Sequence, residues 1–456
     1  MKKNFLLLLF VTALTLLIAI GLIRTLAPAL LGGPADLRLV QLDEKQPAFF
    51  KGVFREGPAR KTDITTTKNA LVKDPLTRLR GRPMLPPMLA ALGPHDLLGF
   101  RNPAVPVAAD IVTIGDSMTY GNNASMLQNW PGNMQVSLQR EDVTVYNMSI
   151  GGWAAVQYLD MLDYAQAFRP YVVVIAFYTG NDPIESFQMA TDNDNWKWLM
   201  QDAGVDPGIN LDGLPEFTLN IPPEQQWPVT FDDGVSTIFT PQLRQISNIS
   251  HPAVDAGYTI MARAGQLIAE KAMQLGIQPV FTIIPTKELV YADKVNAAGL
   301  DVPDSYREQV SAETGRIQTL SAALQAIAGA RYVDVVKPLQ RAALGSGGLY
   351  PVTNNGHPVA AGYKVIGDSI AATIAGMIPE LPCGLYATPY DDTNTYILML
   401  NSEGVWYFTA EAVIERNGWP AGEVPMVDQR QLLRMPQRGP VTEINPPRFG
   451  PAACQH

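Results

Sequence analysis

From Asp110 onward, short, mainly apolar runs alternate with longer stretches of helical spacing. The runs are Asp110–Ile114, Val143–Asn147, Tyr171–Tyr178, Gln278–Pro285 and Tyr332–Val335. Their lack of polar alternation predicts strands of a parallel sheet buried on both faces. Between and after them, Val156–Phe168, Ala253–Leu275, Tyr306–Ala328 and Pro358–Ile378 read as helices. Strands spaced by helices predict an open α/β sheet, parallel and flanked by helices on both faces. In such sheets a ligand sits beyond the carboxyl ends of the strands.

Other stretches break this alternation. Residues 183–250, with Trp196, Trp198, Trp227 and many Asp, Asn and Pro, read as an insertion into a main domain spanning 105–378. Residues 379–456 form a small Pro-rich extension with one expected β-hairpin, Thr395–Leu400 and Val405–Thr409 around Asn401-Ser402-Glu403-Gly404. Residues 31–104, including the extended run Arg80–Pro87, read as a linker and lead-in.

The first thirty residues carry their own signal. After Met1-Lys2-Lys3, no charge interrupts Phe5–Ile23, close to the ~20 residues that span a bilayer. This reads as an uncleaved membrane-anchor helix with a cytoplasmic N-terminus; the alternative is a cleaved signal, with Ala27-Pro28-Ala29 a poor cleavage site. The remainder is then expected on the periplasmic or extracellular face. A net charge of −9 without a basic cluster argues against a nucleic-acid partner. Two cysteines, Cys383 and Cys454, match no zinc or redox spacing; they are either a disulfide or two unrelated thiols.

Chemistry concentrates where the predicted strands end. Ser117 follows the first strand through Gly115-Asp116. Asn147-Met148-Ser149-Ile150-Gly151-Gly152-Trp153 follows the second, Thr179-Gly180-Asn181-Asp182 the third, and Asn354-Asn355-Gly356-His357 the last. A nucleophilic serine needs a base, and a developing oxyanion needs donors already in place. Ser, Gly, Asn and His arrive in that order, each beyond a strand.

In these four blocks, over residues 105–377, the chain resembles the SGNH or GDSL hydrolases. The resemblance implies a flavodoxin-like fold and ester chemistry. It implies Ser117 as nucleophile, His357 as general base, and an oxyanion hole of the Ser117 and Gly152 N–H groups with the Asn181 amide; Gly151 is the alternative to Gly152. His95, His251 and His456 lie outside the blocks. One departure stands out. The family places aspartate three residues before the histidine, and here that position is Asn354, with a second amide at Asn355. An asparagine oxygen can orient the imidazole but brings no charge to stabilise imidazolium. Asn354 is therefore taken as the third catalytic residue, with Asp334 and Asp182 as possible substitutes.

The remaining candidates are read as structural. Lys287 and Glu288 follow a strand and either reach the rim of the site or form a solvated surface pair, the latter being favoured. Trp153, Tyr178, Trp196 and Trp198 either line the mouth of a sugar site or fill the core. Asp192-Asn193-Asp194 lacks the rest of a calcium loop, so no metal and no cofactor are expected. The expected function is an exported, anchored serine esterase or O-acyltransferase acting on acyl, above all O-acetyl, groups of an extracellular or cell-wall polysaccharide. A catalytically weak glycan-binding or envelope-complex protein, or a lipase or thioesterase, is the alternative.

Overall fold

The computed structural model describes residues 71–83, 85, 94–106, 108–140, 142–389, 395–401, 404–408, 411–419, 424–427 and 437–454. The anchor expected over residues 1–30 and most of the lead-in lie outside the described residues. Among the described residues, no helix is long and apolar enough to cross a membrane. Described residues 71–73 and 80–105 belong to one compact unit, and 74–79 with 106–454 to a second. In the first, the Asp96 carboxylate accepts from the N–H groups of Leu98 (2.9 Å) and Phe100 (3.1 Å) and from Asn102 Nδ2 (3.1 Å). His95 lies there too, with Nδ1 3.0 Å from the Arg82 carbonyl.

The second unit is built on five parallel strands: β1 Ile111–Gly115, β2 Val145–Ser149, β3 Val172–Tyr178, β4 Gln278–Ile284 and β5 Arg331–Val333. Their spatial order is β2-β1-β3-β4-β5. That is the flavodoxin-like order, with its switch point between β1 and β3. The two central strands are buried at every residue, so neither tolerates the polar alternation of a one-sided sheet. In register, Ile111 lies opposite both Val145 and Val172.

Helices cover both faces. They are α1 Trp130–Ser137, α2 Ala155–Ala165, α3 Asp182–Asp192, α4 Pro252–Gln274, α5 Asp304–Gln325 and α6 Ala360–Ile374. Helices α1 and α6 pack on each other, sharing one core with alternate β3 residues Val172, Val174 and Ala176. On the other face Phe177 meets Tyr158 of α2, ring centroids 5.7 Å apart. The predicted strands and helices appear within a few residues of their expected ends, whereas α1 and α3 were not anticipated.

The stretch read as an insertion is more ordered than its composition suggests. Besides α3 it contains a helix at Lys197–Asp202, a hairpin pairing Trp227–Thr230 with Ser236–Phe239, and a helical turn at Pro241–Gln245. Trp227 and Phe239 pack against Tyr306 of α5, with centroids 4.9 and 5.2 Å away.

Near the C-terminus, β6 Gly384–Pro389, β7 Thr395–Asn401, β8 Gly404–Phe408 and β9 Gln437–Val441 form a separate four-stranded sheet. Strands β7 and β8 pair antiparallel, with Leu400 opposite Val405. Alternation sends Leu398 and Leu400 to one face and Met399 to the other, giving each face its own small apolar cluster. Cys383 and Cys454 are joined in a disulfide that closes this region across a separation of 71 residues.

Candidate active site

Ser117 begins a single helical turn, Ser117–Tyr120, directly after β1. The turn is set by its neighbours. Asp116 caps it, Oδ1 accepting from the Met118 N–H at 2.8 Å. Gly115 leaves the space it needs, since a Cβ there would lie 2.0 Å from Thr119 Oγ1 and 3.1 Å from the Ala176 carbonyl. A serine is thereby held at the carboxyl end of a central strand, at the topological switch point.

His357 reaches it from the loop before α6. Its Nε2 lies 2.7 Å from Ser117 Oγ. Ser117 Oγ also lies 3.2 Å from Asp116 Oδ2. One hydroxyl proton serves one acceptor at a time, and the histidine is the nearer. Asn122 Nδ2 sits 3.4 Å from the same Nε2.

The outer nitrogen corrects the sequence expectation. His357 Nδ1 lies 2.8 Å from Asn355 Oδ1, so the asparagine that orients the imidazole is Asn355 and not Asn354. The reason lies in the turn. Asn355 Oδ1 also accepts the His357 backbone N–H at 3.0 Å, a bond to the residue two places on that closes an Asx turn. Its amide cannot flip without loss, because Asn355 Nδ2 donates to Asn123 Oδ1 at 3.0 Å while Asn123 Nδ2 donates to the His357 carbonyl at 3.0 Å. Asp182 and Asp334 take no part. Asp182 accepts from the Tyr178 N–H and Tyr158 Oη, both at 2.9 Å, and Asp334 from the Val336 N–H at 2.9 Å.

The other two blocks follow β2 and β3, the strands on either side of β1. In the turn after β2, a Cβ on Gly151 would come 3.5 Å from Ser117 Cβ, while Gly152 adopts φ +81° with open space around it. Few L side chains adopt that φ. Asn181 precedes α3, and its Nδ2 makes one long bond, 3.5 Å, to Asp182 Oδ1. Of the two glycines, Gly151 is the one that lies against Ser117.

Lys287 and Glu288 are not a surface pair. Both are fully buried. Lys287 Nζ donates to the Thr353 and Asn355 carbonyls at 3.0 and 3.2 Å, pinning the histidine loop from beneath. Glu288 accepts from the Thr240 N–H at 2.8 Å. Burial pushes the Lys287 ammonium down to about 8. Of the aromatics, Trp153, Tyr178 and Trp196 are core residues, while Trp198 is 46% exposed.

Arg244 is the residue that sequence reading passed over. It lies on the short helix Pro241–Gln245, and a Cβ on Gly356, next to His357, would sit 2.2 Å from its Nη2. No pattern flags one arginine in a Pro-rich insertion. Burial and then the Arg244 charge hold the His357 imidazole down to about 3. The histidine is therefore neutral at neutral pH, free to accept the serine proton at Nε2 while donating Nδ1–H to Asn355. Burial raises Asp116 to about 7.

No protein-family model and no curated protein matches the chain. Among solved structures it is similar to a GDSL-like lipase from Bacteroides thetaiotaomicron, at 15% identity over 58% of this chain and 87% of that one, TM-score 0.30. It is also similar to an acetylxylan esterase from Geobacillus stearothermophilus, solved as a catalytic mutant (12%, 60% and 98%, TM-score 0.32). A psychrotrophic esterase from a Pseudoalteromonas species aligns likewise (13%, 59% and 97%, TM-score 0.26). Likeness at this distance says nothing about chemistry. What the chain itself shows is a flavodoxin-like strand order with the serine and histidine blocks meeting at its carboxyl edge.

Proposed function

We propose that the protein is a serine esterase or O-acyltransferase, exported and anchored by its N-terminal segment, that acts on O-acyl groups of an extracellular or cell-wall polysaccharide. The observation that carries the chemistry is the aligned pair of bonds at His357, 2.7 Å from Nε2 to Ser117 Oγ and 2.8 Å from Nδ1 to Asn355 Oδ1. Ser117 Oγ attacks the ester carbonyl as Nε2 takes its proton, and the tetrahedral oxyanion is met by the donors at Ser117, Gly151 or Gly152, and Asn181. Collapse breaks the ester C–O bond, and the alcohol leaves with the proton from Nε2. Water or a sugar hydroxyl then releases the acyl group by the same steps in reverse order.

Export is supported by the apolar N-terminal run and by the disulfide, since such bonds persist in oxidising compartments. A polysaccharide target is supported by location and by the exposed Trp198. A competing reading, binding with little turnover, draws on the uncharged partner of His357. In a serine protease that loss costs about 10⁴ in turnover. Full-length protein in mild detergent separates the two. Ser117→Ala should abolish fluorophosphonate labelling and lower 4-nitrophenyl acetate turnover by at least about 10³-fold; equal labelling and turnover in the variant would remove Ser117 from the chemistry.

A further inference from the structure

Arg244 is 6% exposed, its Nε is a buried atom without a partner, and among the described residues its side chain enters no hydrogen bond or ion pair. The Tyr178 ring lies 6.0 Å from it, and Tyr178 Oη is itself a buried atom without a partner. Buried arginines are ordinarily paired, because taking that charge out of water is costly unless hydrogen bonds replace the solvent. The buried acid Glu288 does not pair with it: one oxygen holds the Thr240 N–H, Oε2 has no partner, and no salt bridge to Arg244 forms. Lys287, the other cation, is occupied by the loop carbonyls. An unpartnered guanidinium therefore lies against Gly356, beside a catalytic histidine whose orienting partner is an amide and not a carboxylate.

We infer that Arg244 is a carboxylate-binding subsite, so that the ester handled at Ser117 carries a free carboxylate close to its reacting carbonyl. The inference rests on the hydrolase reading above and narrows its substrate to acidic esters, such as an acylated uronate-type sugar or the half-ester of a dicarboxylic acid. The planar fork of arginine matches a carboxylate with two parallel hydrogen bonds. One unpaired cation balances one negative charge; a phosphate dianion would leave a second charge uncompensated.

Two substrate pairs test this on full-length protein. 4-Nitrophenyl acetate against mono-4-nitrophenyl glutarate places the carboxylate in the acyl half; methyl 4-acetoxybenzoate against 4-acetoxybenzoate places it in the alcohol half. In Arg244→Met the ratio of kcat/KM, acidic over neutral, should fall about 10- to 100-fold for at least one pair, the range for a charged hydrogen bond. Arg244→Lys, which keeps the charge but loses the fork, should fall between. Glutarate binding followed by calorimetry should weaken by a similar factor in Arg244→Met, and this arm needs no turnover. If no substrate turns over at all, the hydrolase reading fails and calorimetry alone decides the subsite. Ratios and glutarate binding unchanged from wild type overturn the inference. So does a lower melting midpoint in both Arg244 variants, which would make the side chain structural.

Discussion

Glu313 and Arg244 are both ionisable and both buried, but their surroundings differ completely. Glu313 is saturated, accepting from Thr179 Oγ1, the Thr286 N–H at 2.8 Å, Thr286 Oγ1 and Gln309 Nε2. It ties the end of β3, which leads into Asn181, to the end of β4, which leads into Lys287. Among the described residues, the Arg244 guanidinium has an aromatic ring as its one interaction partner. A buried charge with every valence met holds the scaffold in place, whereas one left open in a site is a charge kept for something not yet there. The difference separates groups that position the chemistry from groups that choose its substrate.

The largest expected effect tests the saturated side. Glu313→Leu removes four acceptor contacts from buried donors and should lower stability by about 3 kcal/mol, read as a shift in denaturant midpoint. A change under about 0.5 kcal/mol, the usual range for surface substitutions, would show that the network is dispensable.

Next comes the orienting amide. Asn355→Asp places a carboxylate on Nδ1 and should raise kcat on 4-nitrophenyl acetate about tenfold, roughly 1.4 kcal/mol of barrier. Asn354→Asp should leave kcat close to wild type. A gain at 354 with a loss at 355 would reverse the assignment made from the turn geometry.

The smallest effect concerns the His357 proton. Imidazole NMR should show the neutral Nδ1–H tautomer persisting as pH falls through 6.5, with protonation only towards about 3. Removing the opposing charge in Arg244→Met should move that titration upward. The linkage has a definite sign. The folded value lies below the unfolded one, so the His357 contribution to stability is whole above pH 6.5 and is lost as pH falls from there towards 3. Titration near 6.5 in the wild type would mean that neither burial nor Arg244 governs the imidazole.

Legibility in the sequence followed how local each cause is. Strands β1 and β3 announced themselves because a strand buried on both faces is apolar almost throughout, Thr113 being the one polar residue in the two. Ser117 and His357 were legible because each ends a recognisable strand or opens a recognisable helix, and few histidines competed. The choice between Asn354 and Asn355 was not, since it depends on which side chain closes the turn onto the His357 N–H. Lys287 and Glu288 were misread because charge in a sequence suggests solvent, and only folding brings the 227–239 hairpin and the 353–355 carbonyls around them. Helix α3 was hidden in a stretch whose Asp, Asn and Pro content suggested irregular chain.

By itself, the sequence determined the class of sheet, the order in which Ser117, Gly152, Asn181 and His357 come to its carboxyl edge, and the lack of an aspartate at the usual place. These follow from periodicity and residue type, properties of neighbours along the chain. Tertiary structure alone decided that Asn355 holds the imidazole, that Lys287 pins its loop, and that Arg244 stands bare beside it. Each of those depends on contacts between segments far apart in sequence, where burial, charge and hydrogen-bond supply are set by what the fold brings together.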